Sequence, residues 1–558
     1  MKRNVFILKT ALCTGKFQLF LILGVNLIQG FVLSLEILVW QQLVDGIVYC
    51  LDNFFFERIL IPVGCYMVLA FVNILLLQVS GFLNWKYSAQ ITNYVNNELL
   101  RKCTHISYSV YHNSKFYDEL MRINEESAAS IVRIVTGSAT LVQYAMAYVS
   151  TFIILAQYSV LIPVIVSVLM IPMLLYELYY SKKLYDVKCM NTEESRMTEK
   201  LSDFFFSYRN IMEIRTYGIA GLLTDKVEKF QRHQYNVESR VRKKQLKGEM
   251  YINSGYILCI YLLKLFAIVV SVHKAFTIGV ITMYITSIDQ ISGDLQSIIS
   301  SLSEWKVDRL YIESLQDFLL RDEEIFGQKK VGKIHEIRFE NVSYRYPGAE
   351  KNVLENVSFC LQTPDKCLIQ GPNGCGKSTL IKLLAGFYRP NAGKIYINGI
   401  DIRELDRKDY YSHLCIMYQE YNRYPLSIHE NITFQDNIRK EDIQSLLEMV
   451  RMSSDMEKLK NGIETIVDNE QKDGTELSLG QWQKLAFCRA MCHGGDFFIC
   501  DEPTAAVDAV TSEIIRDVLL DKNRDKLVLF ISHDEVEDNN ITHKMIIQDG
   551  HLEVEKRG

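Results

Sequence analysis

Proline and tryptophan are scarce in this chain, nine and four in 558 residues, and glycine stops at 29. That scarcity excludes a collagen-like or low-complexity polymer. Net charge is small as well, with 61 Lys and Arg against 66 Asp and Glu, a formal −5. Without a basic excess the chain is no nucleic-acid polycation, and no nucleic-acid partner is expected. It is not a disordered chain either, since 49% of its residues are hydrophobic and 23% charged. The 13 cysteines include no CxxC pair and no metal-like spacing. They read as small buried hydrophobes, and neither a disulfide nor a metal site is expected from them.

The averages conceal two unlike parts. Residues 1–329 hold 32 basic and 29 acidic side chains, and residues 330–558 hold 29 and 37. The first part carries six long apolar stretches, at about 17–43, 59–83, 136–157, 160–180, 251–272 and 276–295. Each reaches or approaches the ~20 residues that cross ~30 Å of hydrocarbon as a helix. Six of them in so short a chain would leave a soluble domain little surface for water, so they read as membrane spans.

The second part has no comparable run. Its apolar residues come in short clusters, such as Phe497-Phe498-Ile499-Cys500 and Leu527-Val528-Leu529-Phe530-Ile531. Those read as buried strands of a parallel sheet.

Connections 44–58, 158–159 and 273–275 are short and nearly free of Lys and Arg. Segment 181–250, in contrast, contains Lys182, Lys183, Lys188, Arg240, Arg242, Lys243, Lys244 and Lys247. With Lys2, Arg3, Lys9 and Lys16 at the start, the charges place the start and both long segments, 84–135 and 181–250, on the cytoplasmic side of the cell membrane. Two helices projecting from the membrane and joined by a turn would use a segment as long as 181–250. The first apolar run is too long for a signal-peptide core and lacks a small-residue cleavage site, so it is expected to stay as an anchor.

Gly371-Pro372-Asn373-Gly374-Cys375-Gly376-Lys377-Ser378 fits GxxxxGK[ST], between the strand-like Lys366-Cys367-Leu368-Ile369-Gln370 and a helix-like run from Thr379. That context is what a P-loop requires. Its backbone N–H groups converge on phosphate oxygens at a helix N-terminus, Lys377 reaches the outer phosphates, and Ser378 ligates Mg²⁺. The strand 497–500 delivers Asp501 to the Mg²⁺ shell and leaves Glu502 to activate a water.

Between these lies Leu477-Ser478-Leu479-Gly480-Gln481, and Ser532-His533 follows the later strand. This set and order resemble the ATP-binding cassette family over roughly 335–555. The resemblance implies a Q-loop at Gln419, a D-loop at Ala506-Val507-Asp508 and an adenine platform at Tyr346. It implies that Gly371, Pro372, Asn373, Gly374, Cys375, Gly376, Lys377, Ser378 and Thr379 hold ATP. Ser378, Gln419 and Asp501 would surround Mg²⁺, and Glu502 with His533 would position the attacking water. Ser478, Gly480 and Gln481, with Asp508, would serve a composite site across a dimer.

Six spans ahead of one cassette look like an exporter half-transporter. The expected architecture is therefore an α-helical polytopic membrane domain with six transmembrane helices over 1–325. An α/β P-loop NTPase domain of ATP-binding cassette type would follow over 326–558. One P-loop and one signature imply a second half-transporter, most simply a homodimer, with a heterodimer as the alternative. Met212-Glu213-Ile214-Arg215-Thr216-Tyr217-Gly218 is similar to the family's segment near the second coupling helix. Residues 419–428 are similar to the Q-loop of modified-peptide exporters, which points to peptide cargo, with lipid or a hydrophobic drug as the alternative.

Leu479 departs from the family, whose signature has glycine there, and is expected to turn elsewhere or crowd the phosphate site. Within the spans, Glu36 and Lys264 are expected to pair with each other or to meet cargo. Asn26, Gln29, Asn73, Gln78, Gln143, Tyr144 and Tyr148 suggest a moist, amphipathic cavity.

Overall fold

A computed structural model of the chain describes residues 2–53, 57–190, 192–324, 326–434, 440–532 and 538–557. The backbone gathers into two compact units. One is Met1–Ile106 with Asn113–Asp322, and the other is Ser107–His112 with Glu323–Gly558.

The first unit is helical: α1 (Lys2–Asn53), α2 (Glu57–His105), α3 (Ser114–Ala156), α4 (Leu161–Leu169), α5 (Ile171–Met190), α6 (Thr192–Phe206), α7 (Tyr208–Thr216), α8 (Ala220–His273) and α9 (Ile278–Leu319). At 1.5 Å per residue the 54 residues of α8 run about 80 Å, far beyond a bilayer core. Asn113 and Thr277 cap α3 and α9 by accepting from the N–H groups of Lys115 and Val280. Pro172 has no N–H to return to the preceding turn, which separates α4 from α5. Segment 181–250 is more elaborate than two helices and a turn, because α6 and the short α7 intervene before α8.

Among the described residues, five helical stretches are long and apolar enough to cross a membrane: Thr10–Leu51, Glu57–His105, Ser114–Ala156, Leu161–Val187 and Ala220–His273. The sixth expected span falls in α9, which has the length but not the apolar content. Part of its polar content faces other helices. Ser287, Asp294, Ser303 and Asp308 are all buried, where α9 packs on α1, α3, α5 and α8. Asp308 accepts from Arg133 of α3 at 2.6 and 2.9 Å.

The expected Glu36–Lys264 pair does not form. Lys264 reaches Asp289 of the neighbouring α9 at 2.5 Å, while Glu36 accepts from Asn73 of α2 at 3.2 Å. The polar residues read as lining a moist cavity are partly used otherwise. Asn26 is buried and donates to Ser80, Gln29 donates to Asn73, and Tyr148 bonds Ser167, so they tie neighbouring helices together.

The second unit contains β1 (Glu336–Tyr344), β2 (Leu354–Gln362), β3 (Lys366–Gln370), α10 (Lys377–Leu384), β4 (Ala392–Ile397), β5 (Ile400–Asp401), α11 (Arg407–Ser412) and β6 (Leu414–Met417). It continues with α12 (Ile428–Thr433), α13 (Lys440–Met449), α14 (Ser453–Glu457), α15 (Leu479–His493), β7 (Phe497–Asp501), α16 (Ala509–Asp517), β8 (Leu527–Ile531), β9 (His543–Gln548) and β10 (His551–Lys556). A four-stranded antiparallel sheet runs β2-β1-β4-β5, and a six-stranded sheet runs β10-β9-β3-β8-β7-β6. In the larger sheet β9, β3, β8, β7 and β6 are parallel.

Both apolar clusters marked as strands, β7 and β8, are buried along their whole length. Two apolar cores surround this sheet. One is built on Phe339, Leu361, Leu380 and Phe497, the other on Trp482, Phe487, Phe498 and Leu519. Cys367, Cys415, Cys488 and Cys500 are buried as expected, but Cys13, Cys65 and Cys360 are exposed. The 107–112 segment packs through aromatic rings. Tyr108 lies 5.3 Å from Phe387 and 5.5 Å from Tyr388, and His112 Nε2 is 2.5 Å from the Tyr388 hydroxyl.

Candidate nucleotide site

Strands β3, β6, β7 and β8 end at one edge of the parallel sheet, where ligands of open α/β sheets bind. The loop from Gly371 to Gly376 leaves β3 there and enters α10. Gly374 and Gly376 take φ of 79° and 112°, which a side chain would strain. A Cβ at Gly371 would lie 2.3 Å from the carbonyl oxygen of Ile547, so the loop seats directly on β9. Pro372, Asn373 and Cys375 complete it. Lys377 is buried, and its ammonium donates to the carbonyls of Gly371 at 2.6 Å and Pro372 at 3.1 Å.

Ser378 hydrogen-bonds the carboxylate of Asp501, the last residue of β7. The structure thus brings together two residues that the sequence separates by more than a hundred positions. Burial pushes the Asp501 carboxyl above its ordinary value, and the Glu502 carboxylate adds to this, while the Ser378 bond and Lys377 oppose it. A hydroxyl and a carboxylate side by side are the hard oxygen donors that suit Mg²⁺.

Glu502 sits at φ 52°, a left-handed conformation that costs a non-glycine residue about 1–2 kcal/mol. Its N–H still donates to Ile531 of β8 at 3.2 Å, so the sheet holds the backbone while the chain turns sharply at this carboxylate. Thr379 accompanies the loop. Its hydroxyl is 2.9 Å from that of Tyr346, a half-buried ring set edge-on to Tyr388. Gln419 lies two residues past β6 with its side chain exposed.

Ser478 caps α15 in a closed capping box. Its hydroxyl accepts from the Gln481 N–H at 3.2 Å and its N–H donates to Gln481 Oε1 at 2.9 Å. Leu479 is the first residue of the helix and 55% exposed, so within its own chain it crowds nothing. Gly480 is the confined position, since a Cβ there would stand 2.8 Å from the Ala506 carbonyl. Asp508 caps α16, accepting from the N–H and hydroxyl of Thr511 at 3.0 and 2.7 Å. That bonding holds its carboxyl at about 2. His533 lies outside the described residues.

Sequence reading missed three residues that make contacts here. Gln483, buried in α15, donates to the Glu502 carbonyl and accepts from the Ala506 N–H. Asp455 accepts from Gln481 at 3.0 Å, and the Tyr421 hydroxyl donates to the Leu479 carbonyl at 3.3 Å. Only Gln483 left a signal, as an amide on a helix whose buried neighbours are apolar.

Comparison with known proteins bears on the same region and beyond it. A family model described as ABC transporter matches residues 354–505. The subtilin transport ATP-binding protein SpaT of Bacillus subtilis is 27% identical over 479 residues, 84% of this chain and 77% of that protein. The nisin transport ATP-binding protein NisT of Lactococcus lactis subsp. lactis is 22% identical over 96% of this chain and 90% of its own length. An ATP-dependent lipid A-core flippase of Vibrio vulnificus is 30% identical, but over 217 residues, 38% of this chain and 37% of the flippase. Among solved structures, a bacterial Atm1-family ABC exporter with ATP bound superposes with a TM-score of 0.79 at 16% identity. That match covers 96% of this chain and 94% of the exporter, which shows a shared fold.

Proposed function

We propose that this chain, a member of the ABC transporter family with the fold of its exporters, is one half of an ATP-driven exporter in the cell membrane. A second half-transporter, in the simplest case another copy, completes it. The cargo is a peptide. One observation carries the cargo class: two relatives that align over most of the chain, well into the membrane unit, are named for subtilin and nisin transport. The flippase matches span between two fifths and one half of the chain, much less than the peptide-named relatives cover.

In this reading Tyr346 stacks on adenine, and its bond to Thr379 ties the ring to the helix that receives the phosphates. Gly374 and Gly376 free backbone N–H groups for phosphate oxygens, and Lys377 exchanges its loop carbonyls for them. Ser378, Asp501 and Gln419 would hold Mg²⁺, which shields the phosphate charge when bound. Glu502 accepts a proton from the attacking water, and His533 polarises the transferring group. Ser478, Gly480 and Gln481, with Asp508, face the second cassette's nucleotide. Cassette closure drives alternating access of the membrane units, and hydrolysis releases it.

The test is ATPase activity of the full chain in reconstituted vesicles. Glu502→Gln should retain ATP binding and lose about 10²-fold or more in turnover. Candidate peptides should raise wild-type turnover. Stimulation by lipids or hydrophobic drugs and by no peptide would replace the peptide reading with its flippase alternative.

A further inference from the structure

A cavity of about 530 Å³ lies between α1, α3 and α9, away from the nucleotide site. Leu19, Leu23 and Ile134 are among its apolar lining residues, as is Leu302 of α9, and Trp305, Lys306 and Arg309 of α9 line it too. The lining therefore combines branched aliphatic side chains with two cations and an indole. Leu19 and Leu23 belong to the first turns of the first apolar stretch. Ile134 precedes the third stretch by two residues. The cavity therefore sits where those helices enter the hydrocarbon from the basic, cytoplasmic side.

We propose that this cavity binds one anionic phospholipid of the inner leaflet. An acyl chain lies along Leu19, Leu23 and Ile134, and the phosphate meets Lys306 and Arg309. Charge complementarity favours this occupant over a neutral lipid. Lys306 spends one N–H on the Leu178 carbonyl at 2.8 Å, which fixes its ammonium and leaves two donors. Arg309 faces Glu313 one turn on at 3.3 Å, a half-exposed pair that leaves other guanidinium N–H groups free to turn to a phosphate. Glu304 also lies on this stretch of α9 but outside the lining. Lys16, exposed on α1, shares the face of Leu19 and Leu23 by its i+3 and i+7 spacing and adds positive charge at the same end. Phe17 and Phe20, 75% and 68% exposed, make the surface beside the cavity continuous with one suited to lipid. The inference rests on the first unit lying in a membrane and is independent of the cargo class.

Trp305 gives the readout. Full-length protein is reconstituted in phosphatidylcholine vesicles with rising fractions of phosphatidylglycerol, with either lipid brominated on its tails to quench nearby tryptophan. Comparison with Trp305→Phe isolates the Trp305 signal from Trp40, Trp85 and Trp482. Brominated phosphatidylglycerol should quench Trp305 saturably and brominated phosphatidylcholine should do so far less. Joint Lys306→Gln and Arg309→Gln substitution should raise the phosphatidylglycerol fraction at half-quenching about tenfold or more, at roughly 1 kcal/mol per cation. Arg309→Lys should come close to wild type, and basal ATPase of each variant reports folding. Equal quenching by the two lipids, or an unchanged curve in the double variant, would overturn the proposal. So would displacement of the brominated lipid by a stimulating peptide, which would assign the cavity to cargo.

Discussion

Gln483 holds Glu502 by its backbone: the amide nitrogen donates to the Glu502 carbonyl at 2.9 Å, and the amide oxygen accepts from the Ala506 N–H at 2.6 Å. One buried side chain thereby fastens the helix that begins at Ser478 to the loop that carries the proposed base. Gln483→Leu would leave the Ala506 N–H without its acceptor, at about 1–3 kcal/mol, and would take from the Glu502 carbonyl the shorter of its two hydrogen bonds, the other coming from the Ala505 N–H at 3.4 Å. It would also loosen a residue already held in a left-handed conformation. The expected result is a fall in ATPase kcat of about tenfold or more with KM for ATP changed less than about threefold. Gln483→Glu, which keeps the acceptor for Ala506, should fall between. A proportional rise in KM would mean that the contact serves nucleotide binding instead.

Leu479 gives the second prediction. Its exposed side chain at the start of α15 can impede phosphate approach only in a second copy, because nothing in its own chain is crowded. Leu479→Gly is therefore expected to raise ATPase turnover severalfold in the assembled transporter. It should leave thermal stability nearly unchanged, since the capping box of Ser478 and Gln481 does not involve this side chain. Unchanged or lower turnover at full assembly would remove the crowding account.

Much of the candidate site's geometry was legible because its residues obey local rules. A glycine loop between strand and helix, an apolar strand ending in two carboxylates and a serine three residues before a glutamine each declare themselves over a few positions. Partnerships across the chain did not. Lys264 and Asp289 are 25 positions apart on adjacent helices, and Asp308 finds Arg133 across 175. Burial explains why α9 is less apolar than the other expected spans, since a helix enclosed by others can carry Ser287, Asp294 and Asp308 inward and fall short of the hydropathy of a lipid-facing span.

Asp508 carries a pH prediction. Hydrogen bonds from Thr511 lower its folded-state pKa from 3.8 to about 2. Between those values the unfolded chain binds more protons than the folded one, so stability rises with pH. The contribution is complete above about pH 4 and disappears as pH falls towards about 2. Asp508→Asn keeps a capping oxygen but cannot titrate. Its thermal midpoint should therefore fall less steeply than that of wild type as pH is lowered from 5 to 2.5. Parallel curves would show that the carboxylate gains nothing from the cap.

The ion pair of Lys264 and Asp289 makes the last prediction, on the membrane unit. The two residues face each other at 2.5 Å between α8 and α9, with the ammonium also 5.3 Å from the Tyr261 ring. Charges placed among apolar helices are stable together and costly apart. Lys264→Met and Asp289→Leu should therefore each lower the thermal midpoint of the detergent-purified chain. The double variant should recover most of the loss, with a coupling of about 1–3 kcal/mol. Glu36→Gln is the control, since its partner is Asn73 and not Lys264, and its effect should add to that of Lys264→Met without coupling. If Lys264→Met leaves the midpoint unchanged but abolishes peptide-stimulated ATPase, the lysine serves cargo and the pair is incidental. Loss of basal and stimulated activity together, restored in the double variant, would fix its role as a clasp between the two helices.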